Sequence, residues 1–333
     1  MSDVAAVPVA AARADRRVWL ALLALLGLGL LLLVPQAAAW LGKPYLVGVF
    51  TRFAIYALAA VSLDLAMGYG GMVSFGHAMF FAVGGYAVGI IASHVAEAAP
   101  LLGWDGSSSA LVVWPVAVLA SSLLGLLVGY LSLRTTGVQF IMITLAFAQL
   151  VFLILQSLEP YGGDDGLLIA RRTEWPGLGR PSDAAFYYIC LSGLALWVGL
   201  LHRLVRSRFG LVLRALRQSE RRVANLGYPA RPYRLVAFTI SAAGMGLAGA
   251  MWADYGRFVS PDMGAWTKSG EFMAMAILGG VGTLIGPVLG ASVFLGLEQA
   301  LTGLTERWLI VFGPLLVLAV LFARRGLIGL FVR

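Results

Sequence analysis

RLVRSRFGLVLRALRQSERRVANLGYPARPYR, Arg203 to Arg234, is the longest polar interval in a chain otherwise built of apolar blocks. Nine arginines and one acid, Glu220, give it a net +8. Apolar residues recur at Phe209, Val212, Leu213, Leu216, Val223 and Leu226, close to the i, i+3, i+4, i+7 spacing of an amphipathic helix. Ser207 can cap the start of that helix, Gly227 can end it, and Pro229 and Pro232 stop it from continuing. The stretch therefore reads as a short basic helix between two membrane spans. Short loops rich in arginine and lysine stay on the cytoplasmic side during insertion, which fixes the expected orientation. Its apolar face needs either anionic lipid headgroups or a docked cytoplasmic protein.

Composition agrees with that setting. Of the 333 residues, 60% are apolar and only 12% charged, against about 25% charged in a soluble domain. The class is an all-α polytopic membrane protein with about eight to ten spans, leaving no room for a large soluble domain. The net charge of the whole chain is also +8, so the charge reports topology and gives no sign of nucleic-acid binding. Lys43 and Lys268 are the two lysines, and neither stands in the Gly-Lys-Ser/Thr context of a P-loop, so the chain is not expected to hydrolyse ATP or to be an enzyme. Cys190, alone, allows no internal disulfide, and His77, His94 and His202 lack ligand spacing, so no metal or bound cofactor is expected.

In chain order, residues 1–17 form a cytoplasmic tail ending in Arg13, Asp15, Arg16 and Arg17. Residues 18–325 form the transmembrane domain, with a basic loop over 203–234, and 326–333 a cytoplasmic C-terminal tail. Val18–Trp40 is too long an apolar run for a signal peptide and reads as a retained first span. Apolar segments 53–67 and 78–92 flank a glycine-rich break, with 110–133 and 137–158 following. Residues 159–183 read as an exposed outer connection, 184–201 and 235–253 as spans either side of the basic segment, and 254–270 as a second outer loop. Residues 271–301 carry another glycine-broken segment, and 308–323 form a last span ending at Arg324 and Arg325. Ten crossings result if each broken segment crosses twice, and eight if each is one discontinuous element.

Paired broken segments, one in each half, point to a solute path, because interrupted helices expose backbone groups that lipid cannot satisfy. Close helix packing is the competing reason for the same glycines. Candidate path residues are Asp64, Gly70, Gly71, Ser74 and His77 in the first break and Gly279 and Gly280 in the second. Asp64 is too costly to face lipid and should point inward. Glu271 and Glu298, near span ends, are expected to be solvated or capping.

Several blocks carry a resemblance that covers nearly the whole chain. They are LDLAMGYGGMVSFGHAMFFAVGGYAVG (63–89), GVQFIMITLAFAQLV (137–151), YGGDDG (161–166), the segment 207–253, SPDM (260–263), AILGGVGTLIGPVLGA (276–291) and LFARRGLIG (321–329). Together they resemble the branched-chain amino acid permeases, inner-membrane subunits of bacterial ABC importers, and most of all the second of the two permease types that pair there. The resemblance implies that 207–230 holds a coupling helix seated in a groove of a separate cytoplasmic ATP-binding subunit. On that family's pattern Arg214, Ala215, Arg217, Glu220, Leu226 and Gly227 are the coupling residues. It implies a second permease subunit, most simply as a heterodimer, and an extracytoplasmic solute-binding protein docking on 159–183 and 254–270. Membrane lipid is the surrounding partner, and ATP is hydrolysed by the partner subunits. The same architecture could carry urea, short amides or another small polar solute. An ion-coupled secondary transporter with Asp64 or His77 as relay, or a signalling or structural protein holding a partner on the basic helix, are the readings from other classes.

Overall fold

The computed structural model describes residues 29–98 and 106–303, together with residues 27, 100, 103, 310, 312–314 and 326–331. The expected tail 1–17, much of the first span and nearly all of the last, with Arg324 and Arg325, lie outside the described residues.

Two compact units divide the chain, residues 1–50 and 51–333. In the first, helix α1 (Val34–Trp40) starts with Pro35 in its opening turn, where a missing N–H is harmless, and a turn through Gly42 follows it. Helix α2 (Tyr45–Asp64) begins directly after Pro44. The span expected from Phe53 thus starts earlier, because Leu46, Val47, Val49 and Phe50 carry the apolar pattern back to the proline.

The second unit is a layer of helices. α2 runs on as a π-helical turn, Leu65–Tyr69, before a short irregular stretch leads into α3 (His77–Glu97). α4 (Ala110–Ser132), α5 (Val138–Ser157) and α6 (Asp183–Arg206) follow. The basic interval forms two helices, α7 (Arg208–Gln218) and α8 (Glu220–Asn225), ahead of α9 (Ala230–Gly256). α10 (Trp266–Gly279) and α11 (Gly286–Thr302) are joined by a glycine-rich turn, and a short α12 (Ile328–Phe331) lies near the end of the chain. Strands β1 (Leu167–Leu168) and β2 (Phe258–Val259) pair antiparallel, Leu167 opposite Val259.

Among the described residues six helices are long and apolar enough to cross a membrane: α2 with its π-turn, α3, α4, α5, α6 and α9. The first broken segment therefore supplies two full spans. The second does not: α10 and α11 are about 21 and 25 Å long, short of a hydrocarbon core of about 30 Å.

Burial separates an inner set of helices from an outer one. Between 61% and 67% of the apolar windows of α2, α3 and α9 are buried in the chain, against 28% to 33% for α4, α5 and α6. The inner helices pack closely because small residues face each other. A Cβ on Gly84 of α3 would meet the backbone of Gly246 on α9, and one on Gly249 would meet the Phe81 carbonyl. Such contacts let backbones approach where larger side chains would hold them apart. α9 packs along both α3 and α4, while α10 and α11 pack on each other.

Candidate functional site

The basic interval folds as an amphipathic element, but not as one helix. Ser219 is extended (φ −162°, ψ 105°) and separates α7 from α8. A serine followed by Glu220 is a helix-start pattern, and it was legible. The break shifts the phase of the apolar stripe. Val212, Leu216 and Val223 remain buried together, whereas Leu226 turns out to solvent with 75% of its surface exposed. Ser207 does not cap α7, because its hydroxyl donates back to the Leu204 carbonyl at 2.6 Å. Gly227 does end the element, in the left-handed region at φ 84°. Arg214 folds back, its Nε donating to the Gly210 carbonyl and Nη2 to that of Val205, each at 3.2 Å. Ala215 is half-buried beside this stripe. Glu220 pairs with Arg234 at 2.7 Å. A shallow groove of about 600 Å³ opens beside them, lined by Glu220, Ala224, Gly227, Tyr228 and Arg231 among others.

Arg217, an exposed residue, reaches from the basic segment to the π-turn of α2. Its Nη1 donates to the carbonyl of Gly68 in the π-turn. The helix ends just beyond Gly68, so this carbonyl faces a side chain rather than a following turn. Asp64, one turn earlier and 1% exposed, accepts the Gly282 N–H on both carboxylate oxygens, at 2.8 and 3.1 Å. Arg217 is the charge that acts on that carboxylate. Gly71 sits at φ 70° against the Arg217 stem, where a Cβ would come within 3.1 Å of Cγ. The turn carrying Gly282 is held by Thr283, whose hydroxyl donates to Gly280 O at 2.7 Å and accepts from Gly286 N–H at 3.1 Å. One junction thus joins the basic segment to both broken segments, through Arg217, Asp64, Gly68, Gly71 and Gly282.

The other expected path residues fall around this junction or behind it. Gly70 closes the π-turn beside Met72, and Gly279 packs on the Gly286 backbone. Gly280, at φ 125°, packs against Gly326, and Leu327 N–H donates to Leu278 O at 2.9 Å. Ser74 Oγ accepts the Gly76 N–H at 3.2 Å and serves its own turn. His77 belongs to a separate network: Nε2 meets Ser241 Oγ at 3.0 Å, and Ser241 Oγ donates to the Ser62 carbonyl at 2.6 Å. Among the described residues no group of three or more His, Cys, Asp or Glu side chains is placed to hold a metal ion.

Residues 45–320 match the family model described as branched-chain amino acid transport system / permease component. The chain belongs to that permease family. It is 28% identical over 331 residues to the Escherichia coli high-affinity branched-chain amino acid transport system permease protein LivM, covering 90% of this chain and 74% of the relative. The probable LivM of Methanocaldococcus jannaschii is 27% identical over 267 residues, 72% of this chain and 76% of the relative. The Pseudomonas aeruginosa permease protein BraD is 24% identical over 303 residues, 85% and 94% of the two chains. No solved structure matches the chain.

At the end of the permease away from the basic segment, residues 159–183 form the exposed connection expected of them, and it is tied down at Thr173 and Arg172. Asp254, at the end of α9, accepts from Trp114 Nε1–H at 2.7 Å, Thr173 Oγ1–H at 2.7 Å and Thr173 N–H at 3.1 Å. Arg172 Nε donates to the Asp254 carbonyl at 3.0 Å and its Nη1 to Asp183 at 2.7 Å. With the β1–β2 pair these bonds clasp the loop onto α4 and α9. Glu271 and Glu298 of the permease are partly exposed but are ion-paired, and neither is a helix cap. Glu298 pairs with Arg52 at 2.7 Å and Glu271 with Lys268 at 2.8 Å. Partners so distant in sequence as residues 52 and 298 leave no local pattern to read.

Proposed function

We propose that this chain is the membrane-spanning permease subunit of a bacterial ABC importer for branched-chain amino acids. It contributes the solute path and couples it to a separate cytoplasmic ATPase. The observation that carries the reading is the junction in which Arg217 of the amphipathic basic segment holds Gly68, beside the Asp64–Gly282 bond. A motion imposed on α7 from outside the layer is passed to both broken segments there. Asp64, Gly70, Gly71, Gly279 and Gly280 are then the gate at the ATPase end of the path, with Ser74 and His77 bracing it.

In this reading the basic segment faces the cytoplasm, as do both termini, and the protein sits in the inner membrane. Leu226 and Tyr228, exposed beside the groove at Gly227, meet the ATP-binding subunit, and Arg214, Ala215 and Glu220 hold the helices in shape. The clasped loop 159–183 and the loop 254–270 form the platform for an extracytoplasmic binding protein. A second permease subunit completes the path, and ATP is used by the partners alone.

The test is transport by the complex purified through a tag on this chain and placed in proteoliposomes. ATP-driven uptake of radiolabelled leucine, insensitive to ionophores, is expected. Uptake driven by a proton or sodium gradient and indifferent to ATP would overturn the reading.

A further inference from the structure

Two ion pairs, one between α2 and α11 and one within α10, lie on partly exposed side chains away from the junction. Arg52 on α2 donates from Nη2 to Glu298 Oε1 on α11 at 2.7 Å. On α10, Lys268 Nζ donates to both oxygens of Glu271, at 3.0 and 2.8 Å. Tyr56, one turn along α2 from Arg52, lies between the two pairs, since its ring also packs on Phe272, the residue after Glu271. The Arg52 guanidinium lies 5.5 Å from the Tyr56 ring centroid. That ring is 3% exposed and belongs to an aromatic wall, with Trp252 at 5.2 Å, Phe272 at 5.5 Å and Phe81 at 6.3 Å between centroids. Arg52 and Asp64 are about 18 Å apart along one helix, so this cluster is distinct from the junction.

Charges at membrane depth are costly, and they pair with one another or mark a solute path. A pair that served only as glue between helices would be closed and satisfied. This one is neither. Arg52 Nε is shut off from water and has no hydrogen-bond partner among the described residues. Between 17% and 34% of each of the four side chains remains exposed, so the cluster opens on a face of the chain. A guanidinium has five N–H donors, and Glu298 takes one of them here.

The charge pattern limits what can enter. A lone anion would leave the two carboxylates unpaired and a lone cation would leave the two bases so. An uncharged amide could not compete with the existing ion pairs. A solute carrying one carboxylate and one ammonium can exchange partners with both pairs at once, its hydrocarbon part resting on the aromatic wall. We propose that Arg52, Lys268, Glu271 and Glu298, grouped about Tyr56 and Trp252, form a transit site for a zwitterionic apolar amino acid. The carboxylate is taken by Arg52 and Lys268 and the ammonium by Glu271 and Glu298. This deepens the importer reading and rests on it.

The experiment measures uptake of radiolabelled leucine and ATP hydrolysis by the complete complex in proteoliposomes. Arg52→Met with Glu298→Met removes one pair without stranding a charge, Lys268→Met with Glu271→Gln removes the other, and Arg52→Glu with Glu298→Arg swaps the first. The two neutral doubles are expected to lower uptake about tenfold or more, the scale of losing a charged hydrogen bond. The amount of assembled complex stays unchanged, and the swap does not restore uptake. Wild-type uptake in the neutral doubles, or full recovery in the swap, would assign the pairs to packing and overturn the site. Should the Arg52 and Glu298 double not assemble, the Lys268 and Glu271 double decides, because that pair lies within one helix. Failure of the wild-type complex to move any amino acid would instead strike the importer reading, before any variant is compared.

Discussion

Arg217 and Gly68 are joined by a hydrogen bond from a guanidinium on the basic segment to a backbone carbonyl at the end of the first broken helix. The arginine is one of nine in its stretch and looks in sequence like part of a solvated face. Its geometry makes it the one that reaches inward, next to the Asp64–Gly282 bond. That junction decides the expected behaviour of the Asp64 and Arg217 variants below.

Asp64→Ala removes the buried carboxylate that accepts the N–H of half-buried Gly282. A buried donor left without a partner costs about 1–3 kcal/mol. The detergent-solubilised protein is expected to melt several degrees lower and leucine uptake to fall, while Asp64→Asn, which keeps a carbonyl oxygen in place, loses less of both. Thermal melts of the three proteins check the order.

Gly84→Ala places a methyl group against the Gly246 backbone. Overpacking of this kind costs about 1–3 kcal/mol, and a lower yield of folded protein and a lower melting temperature are expected. Gly199→Ala on α6 meets nothing within 4 Å and is expected to leave both unchanged or slightly improved. Size-exclusion profiles and melts of the two variants, compared side by side, check the contrast.

Asp254→Ala strips the clasp on the opposite end of its common acceptor, leaving the Trp114 and Thr173 donors unpaired. Thr173→Val removes one hydroxyl and keeps the carboxylate bonded to Trp114 and to the backbone. Limited proteolysis between residues 159 and 182 is expected to be much faster in Asp254→Ala than in Thr173→Val, and slowest in the wild type. Equal rates in all three would mean that the loop does not depend on Asp254.

Leu226→Asp changes a side chain that packs on nothing within the chain's core and is 75% exposed. The melting temperature is expected to stay within a degree or so, since surface substitutions usually cost under about 0.5 kcal/mol. Retention of the ATP-binding subunits during purification is expected to fall about tenfold, the loss of a buried apolar contact at an interface. Quantitative immunoblotting of the purified complex reads it.

The basic segment was legible because arginine density, apolar spacing, Gly227 and the prolines all lie within one short stretch. The membrane spans were legible for the same reason, their signal being local composition. Boundaries are less so: α2 reaches back past Arg52 to Tyr45, and Arg52, which in sequence looks like the edge of a span, lies within the helix paired with Glu298 from far along the chain. A single helix would put Leu226 on the apolar face, and the break at Ser219 turns it outward. Asp64 was expected to face inward, and it does, but its partner Gly282 lies 218 residues away and has no side chain to advertise the contact. Contacts made by backbone groups across the fold leave the weakest trace in a sequence.

The most direct measurement of the central claim is the number of leucine molecules imported per ATP hydrolysed by the complex carrying Arg217→Gln. This side chain keeps the stem that packs on Gly71 but loses the guanidinium that holds Gly68. ATP hydrolysis is expected to continue while uptake per ATP falls about tenfold or more, since a charged hydrogen bond is worth about 1.5–3 kcal/mol. An unchanged ratio of leucine to ATP would contradict the account, because the basic segment would then drive the helices without that contact.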